Sequence, residues 1–149
     1  MTEKYVAPYE QSRWLFCSSL FFLFPAIYGY YNMLYSYANL IVMTSVISAN
    51  FWRKATYSWR RTLDRAFAKI SFIVFLINGI IYFKYKPYII TGYSGLVILS
   101  YCYYIGDVLL YQNNNNWYKY HFIFHILLTY ELFIILDSIV KYRIINTIK

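Results

Sequence analysis

Charge is scarce in this sequence: aspartate, glutamate, lysine and arginine make up 13% of its 149 residues, against about a quarter in an ordinary soluble domain. A water-soluble domain of this length has a polar surface to cover, and this chain lacks the residues to cover it. Glycine occurs five times and proline three times, which excludes a flexible linker or another low-complexity segment. The two cysteines, Cys17 and Cys102, both lie in apolar runs, so there is neither a disulfide framework nor a cysteine-based zinc cluster. Also missing are the phosphate loop GxxxxGK, the dinucleotide fingerprint GxGxxG, the nucleophile elbow GxSxG and any repeat of fixed period.

What is present is apolar and aromatic. Hydrophobic residues make up 60% of the chain, with 20 tyrosines and 12 phenylalanines. Between Trp14 and Trp52 there is no charged residue. As one straight helix that stretch would be about 58 Å long, nearly twice the hydrocarbon thickness of a bilayer. It has to fold back, and Gly29, Asn32, Ser36 and Asn39 place the turn near 30–39. Three further apolar runs follow, separated by Lys84, Lys86 and Pro87 and then by the polar break from Gln112 to Asn116. The sequence therefore predicts an all-α, polytopic transmembrane helix bundle of about five spans. They fall near 14–34, 36–53, 66–84, 88–110 and 117–140, in a single membrane domain over 1–149.

The net charge of +8 could point to nucleic acid, but its placement points to topology. With five spans, Lys4, Arg13, the block Arg53, Lys54, Arg60, Arg61, Arg65 and Lys69, and Lys119 share one side. Lys84, Lys86, Lys141, Arg143 and Lys149 share the other. By the positive-inside rule the first group is expected to be cytoplasmic, with the N-terminus. No cleavable leader is expected, since the first apolar run is too long for one. Trp59, Leu63, Ala66 and Phe67 recur at helical spacing and predict an interfacial turn of helix ahead of the third span. Trp14, Trp52, Trp59, Trp117 and many tyrosines crowd the expected span ends, as aromatic belts do. The expected partners are membrane lipids and other membrane-protein subunits, and no nucleic acid is expected.

Polar residues inside the apolar runs carry the functional information, because ionisable groups at membrane depth are costly. His121 and His125, the only histidines, are four residues apart on one helix face, the spacing at which two imidazoles can share a metal ion. Ser48 lies toward the end of the second span, Asp64 opens the third and Asp107 nears the end of the fourth, all on the side of the histidines. Simpler roles exist for each. The histidines can be interfacial aromatics, Asp64 can pair with Arg60 or Arg61, and Ser45, Ser48 and Ala49 can form a small-residue helix contact. Asp137 is set to pair with Lys141 four residues on. Glu131, deeper in the fifth span, must be protonated, hydrogen-bonded or facing water.

Ser48, Asp64 and the His121-xxx-His125 pair together resemble the CREST superfamily of membrane hydrolases, which includes the alkaline ceramidases and the progestin and adiponectin receptor relatives. That resemblance implies a bundle in which histidines hold zinc and a lipid amide is hydrolysed. On it, Ser48 would steady the oxyanion, and His121, His125 and a carboxylate (Asp64, or Asp107 substituting) would hold the metal. The chain departs from the pattern in two places. Trp52 stands where the family has its first metal histidine, four residues after Ser48, and about five spans replace seven. A diverged hydrolase, with or without its activity, is one expectation. A non-catalytic subunit or scaffold of a membrane complex or viral envelope is the other.

Overall fold

The computed structural model describes residues 4–147, and among them every regular element is a helix. Helices α1 (Tyr9–Leu20) and α2 (Leu23–Tyr31) follow one another as a single 23-residue span. Their break has a local cause. Pro25 cannot donate to the carbonyl of Phe21, four residues earlier, and its ring crowds that carbonyl. The chain therefore makes a turn at Phe21 and Phe22 before the helix resumes. The reversal into α3 (Tyr35–Arg53) is tight: the Leu34 amide donates to the Gly29 carbonyl at 2.8 Å, and Met33 takes a left-handed φ of 57°. Helices α4 (Trp59–Tyr82), α5 (Lys86–Tyr111) and α6 (Trp117–Thr147) complete the chain, with Pro87 in the first turn of α5, where its missing N–H costs nothing.

The α1–α2 span, α4, α5 and α6 are each long and apolar enough to cross a membrane. With α3 between them they form an all-α bundle, and the chain is a small multi-pass membrane protein. Helix α3 is less apolar because Asn39, Thr44, Ser45, Ser48 and Asn50 interrupt it. Its Ser45 and Ser48 are buried within the bundle. Three boundaries differ clearly from the apolar runs. The first span, expected from residue 14, starts as a helix at Tyr9, so Glu10 and Arg13 are helical. The third span, expected from residue 66, starts as a helix at Trp59, so Arg60, Arg61, Asp64 and Arg65 are helical. The fifth runs past 140 to Thr147. In all three places charge ends the apolar run without ending the helix. The turn expected from Trp59, Leu63, Ala66 and Phe67 is the beginning of α4 itself.

Helix α6 is the hub, packing against α1, α2, α4 and α5, while α3 packs against α1, α2 and α4. The principal neighbour of α5 is α6. Gly29 lets α2 approach α3 closely; a Cβ there would come within 3.2 Å of the Ala38 Cβ. One apolar cluster joins Phe22, Ile41, Phe75, Leu132 and Leu136. A second, toward the basic end, joins Leu15, Phe51, Trp52 and Trp117.

That basic end is fastened by the N-terminal segment. Tyr5 pairs with Thr56 in an isolated antiparallel bridge, the Val6 amide donates to the Ala55 carbonyl at 2.7 Å, and the Tyr57 amide donates to Lys4 at 3.0 Å. Trp117 Nε1 donates to Gln11 Oε1 at 3.0 Å and ties the start of α6 to α1. At the opposite end Asp137 accepts from Tyr28 at 2.7 Å and from Tyr88, and pairs with Lys141 at 3.3 Å, as their spacing predicts.

Candidate functional site: a serine layer and a lateral slot

Buried hydroxyls form a layer across α1, α3 and α6. Ser45 Oγ donates to the Ser19 carbonyl at 2.8 Å, Ser19 Oγ donates to the Leu15 carbonyl at 2.7 Å, and Ser19 Oγ and Ser48 Oγ lie in hydrogen-bond contact at 3.0 Å. Ser48 in turn faces the Asp64 carboxylate. Ser18 Oγ donates to the Leu15 carbonyl at 3.1 Å and lies 2.7 Å from His125 Nδ1. The direction of the Ser18–His125 bond follows the imidazole tautomer: Nδ1 accepts when Ser18 turns its proton to it and donates when that proton stays on the Leu15 carbonyl. Thr44 and Ser71 join α3 to α4 at 2.6 Å. Each hydroxyl in the layer therefore has a partner, as buried polar groups require.

Beside this layer a slot runs between α4 and α5, backed by α3 and α6. Its narrow apolar part has a volume of about 120 Å³ and reaches Phe75 and Gly79 on α4, Phe83 just beyond it, Gly92 and Leu96 on α5, and Glu131 on α6. Its wider part, about 550 Å³, lies at the basic end among Arg61, Arg65, Lys69, Trp52, Asp107 and His121. Asp64, Ala68, Phe72, Leu99 and Phe124 line both parts. The two parts adjoin at these residues, one apolar and the other lined by basic side chains.

The expected site residues are partly brought together. Ser48 and Asp64 are neighbours, and Asp64, Asp107 and His121 line one cavity. His125 turns away from it, into the serine layer. The two imidazoles are in edge contact with ring centroids 4.8 Å apart, and Trp52 lies edge-on to His121 at 5.1 Å. The indole therefore occupies the space beside the pair. Among the described residues no group of three or more His, Cys, Asp or Glu side chains is placed to hold a metal ion. The donors present do not fit zinc in this arrangement. Arg60 and Arg61, the candidate ion-pair partners of Asp64, lie over the rings of Trp59 and Tyr57 at 5.9 and 4.5 Å.

Two features were not singled out from the sequence. Ser18 and Ser19 supply the partners of His125 and Ser48; their signal was a pair of hydroxyls inside an otherwise apolar, aromatic run. The other is the contrast in satisfaction of the buried polar atoms. Trp52 Nε1 and Glu131 Oε1 are buried on the walls of the slot without a hydrogen-bond partner.

The fold and the cavity define a multi-pass helical membrane protein with an internal amphipathic slot. Compared with known proteins, the chain matches no family model, no curated protein and no solved structure.

Proposed function

We propose that the protein binds a lipid chain within the membrane, on a scaffold diverged from the CREST-type hydrolases. The observation that carries this reading is the pair of adjoining cavities between α4 and α5, with Ser48 on the narrow one, His121 on the wider one and Asp64 on both. A narrow apolar channel adjoining a wider chamber with Arg61, Arg65 and Lys69 in its wall is complementary to an acyl chain with a polar or anionic head. In this reading Ser48 and Asp64 are the remnant of a hydrolytic site, and the aromatic contact of Trp52 with His121 takes the place of metal coordination.

The test is direct. Protein purified in mild detergent is expected to retain co-purifying lipid, and Leu96→Trp, which fills the apolar channel, is expected to lose it. Zinc content is expected to fall well short of one per chain. Stoichiometric zinc that disappears in His121→Ala, His125→Ala protein would instead favour a metal-dependent lipid-amide hydrolase.

A second reading, the non-catalytic subunit, is favoured by one observation. Tyr101 and Tyr104, near the middle and toward the end of α5, are exposed on the outside of the bundle. Phenolic hydroxyls facing lipid are better accommodated against a partner helix. Crosslinking from Tyr101 to another membrane protein, with no lipid held in the slot, would favour it.

A further inference from the structure

Glu131 is the polar side chain of the slot that the bundle itself leaves unanswered. It is 7% exposed, its Oε1 has no hydrogen-bond partner, and it lines the apolar part of the cavity among Phe75, Leu96 and Leu132. Across from it stands Gly95 of α5, where any Cβ would collide with the Glu131 carboxylate. The carboxyl is therefore held with Oε1 against the α5 backbone, while the side chain as a whole lines the channel. A buried acceptor without a donor costs free energy, and a ligand that supplies the donor recovers it.

A second unanswered atom fixes the direction of the ligand. Trp52 Nε1, a donor only, lies on the wall of the wider chamber with Arg61, Arg65 and Lys69. Asp64 and Asp107 line the same chamber, so its three cations outnumber its carboxylates by one, and with the indole donor they favour an acceptor, best an anion, at that end. His121, which Trp52 touches, and Glu131 both lie on α6. Ten residues of helix separate them by about 15 Å, the reach of an extended alkyl chain of about a dozen carbons.

We propose that Glu131 is a ligand-binding residue that selects, among the chain-like lipids admitted to the slot, those carrying a hydroxyl part-way along the chain. The ligand class is a long-chain acid whose carboxylate lies at the basic chamber and whose mid-chain hydroxyl donates to Glu131. This rests on the lipid-binding reading above and adds the residue and the group that decide specificity.

The experiment compares 12-hydroxyoctadecanoic acid, 2-hydroxyoctadecanoic acid and octadecanoic acid as ligands of the full chain in nanodiscs, read by native mass spectrometry. Wild-type protein is expected to prefer the 12-hydroxy acid over the other two by about fivefold or more, the effect of one buried hydrogen bond. Glu131→Leu is expected to abolish the preference while still binding all three acids. Glu131→Gln, whose carboxamide oxygen still accepts, is expected to keep part of it. Gly95→Ala, which displaces the carboxylate, gives the same loss as Glu131→Leu without touching Glu131 itself and serves where the leucine variant does not fold. Equal binding of the three acids by wild type, or a preference that survives both Glu131→Leu and Gly95→Ala, overturns the role of Glu131 and leaves the lipid-binding reading standing. Binding of none of them overturns both.

Discussion

The serine layer and the lateral slot lie side by side and share residues, yet they treat buried polarity in opposite ways. In the layer, Ser18, Ser19, Ser45 and His125 find partners at 2.7–3.1 Å on neighbouring helices or on their own backbone. In the slot, Trp52 Nε1 and Glu131 Oε1 find none. Both regions are enclosed by the same α3 and α6, so a general shortage of partners does not explain the difference. A closed network fixes how helices meet; a buried donor and acceptor left unpaired on side chains that line a cavity are left for something else to satisfy. Comparing the two regions separates the polar residues that hold the bundle together from those that equip it.

Substitutions can break or sharpen that comparison. Trp52→His has the largest expected effect, because it removes a 4%-exposed indole from the apolar cluster at the basic end. Loss of a buried tryptophan costs about 3–5 kcal/mol, and it places a third imidazole next to His121 and His125. The expected outcome is a marked loss of thermal stability in chelator, largely recovered with zinc, with about one zinc bound per chain. Thermal unfolding and metal analysis with and without chelator check it. A variant that stays zinc-free would separate this cavity from its resemblance to a metal site.

His125→Leu tests the layer. It removes the bond across to α6 while Ser18 keeps the Leu15 carbonyl, and is expected to cost about 0.5–1.5 kcal/mol, read as a lower midpoint of thermal unfolding in detergent. Glu131→Leu tests the slot and is expected to act with the opposite sign. Removing a buried acceptor that has no partner gains about 1 kcal/mol in delipidated protein. If both variants destabilise alike, the two regions do not differ as described. The smallest effect belongs to a residue outside both. Met33→Gly relieves the left-handed conformation of the α2–α3 turn and is expected to stabilise by up to about 1 kcal/mol.

Much of the bundle was legible because lipid imposes simple rules. The long uncharged stretch had to fold back, and it does so at Asn32–Leu34, within the segment where Gly29, Asn32, Ser36 and Asn39 marked a turn. Ser45, Ser48 and Ala49 read as an inward face, and they are buried. Helix ends were less legible. Arg60, Arg61 and Arg65 end an apolar run, but α4 carries them as further helical turns. In the candidate site, Glu131 stood out because no basic residue accompanied it at its depth. Its position opposite Gly95 depends on how α5 and α6 pack, which no spacing within either helix encodes. The pairing of Ser18 with His125 joins residues more than a hundred positions apart. A gap between α4 and α5 is a property of two helices that do not close on each other, and each by itself reads as an ordinary span.

The hub position of α6 also sets the order in which the protein can be completed during synthesis. The first four spans enter the membrane before it, and within them Ser45 can already reach Ser19, and Ser19 can reach Ser48. Ser18 must wait for His125, and α5 must wait for its principal neighbour. A ribosome that stops before Trp117 therefore leaves α5 without its principal packing partner and one buried hydroxyl without its histidine. Among the described helices it is the arrival of α6 that gives α5 its principal neighbour and Ser18 its histidine, so quality control in the membrane has a late event to monitor.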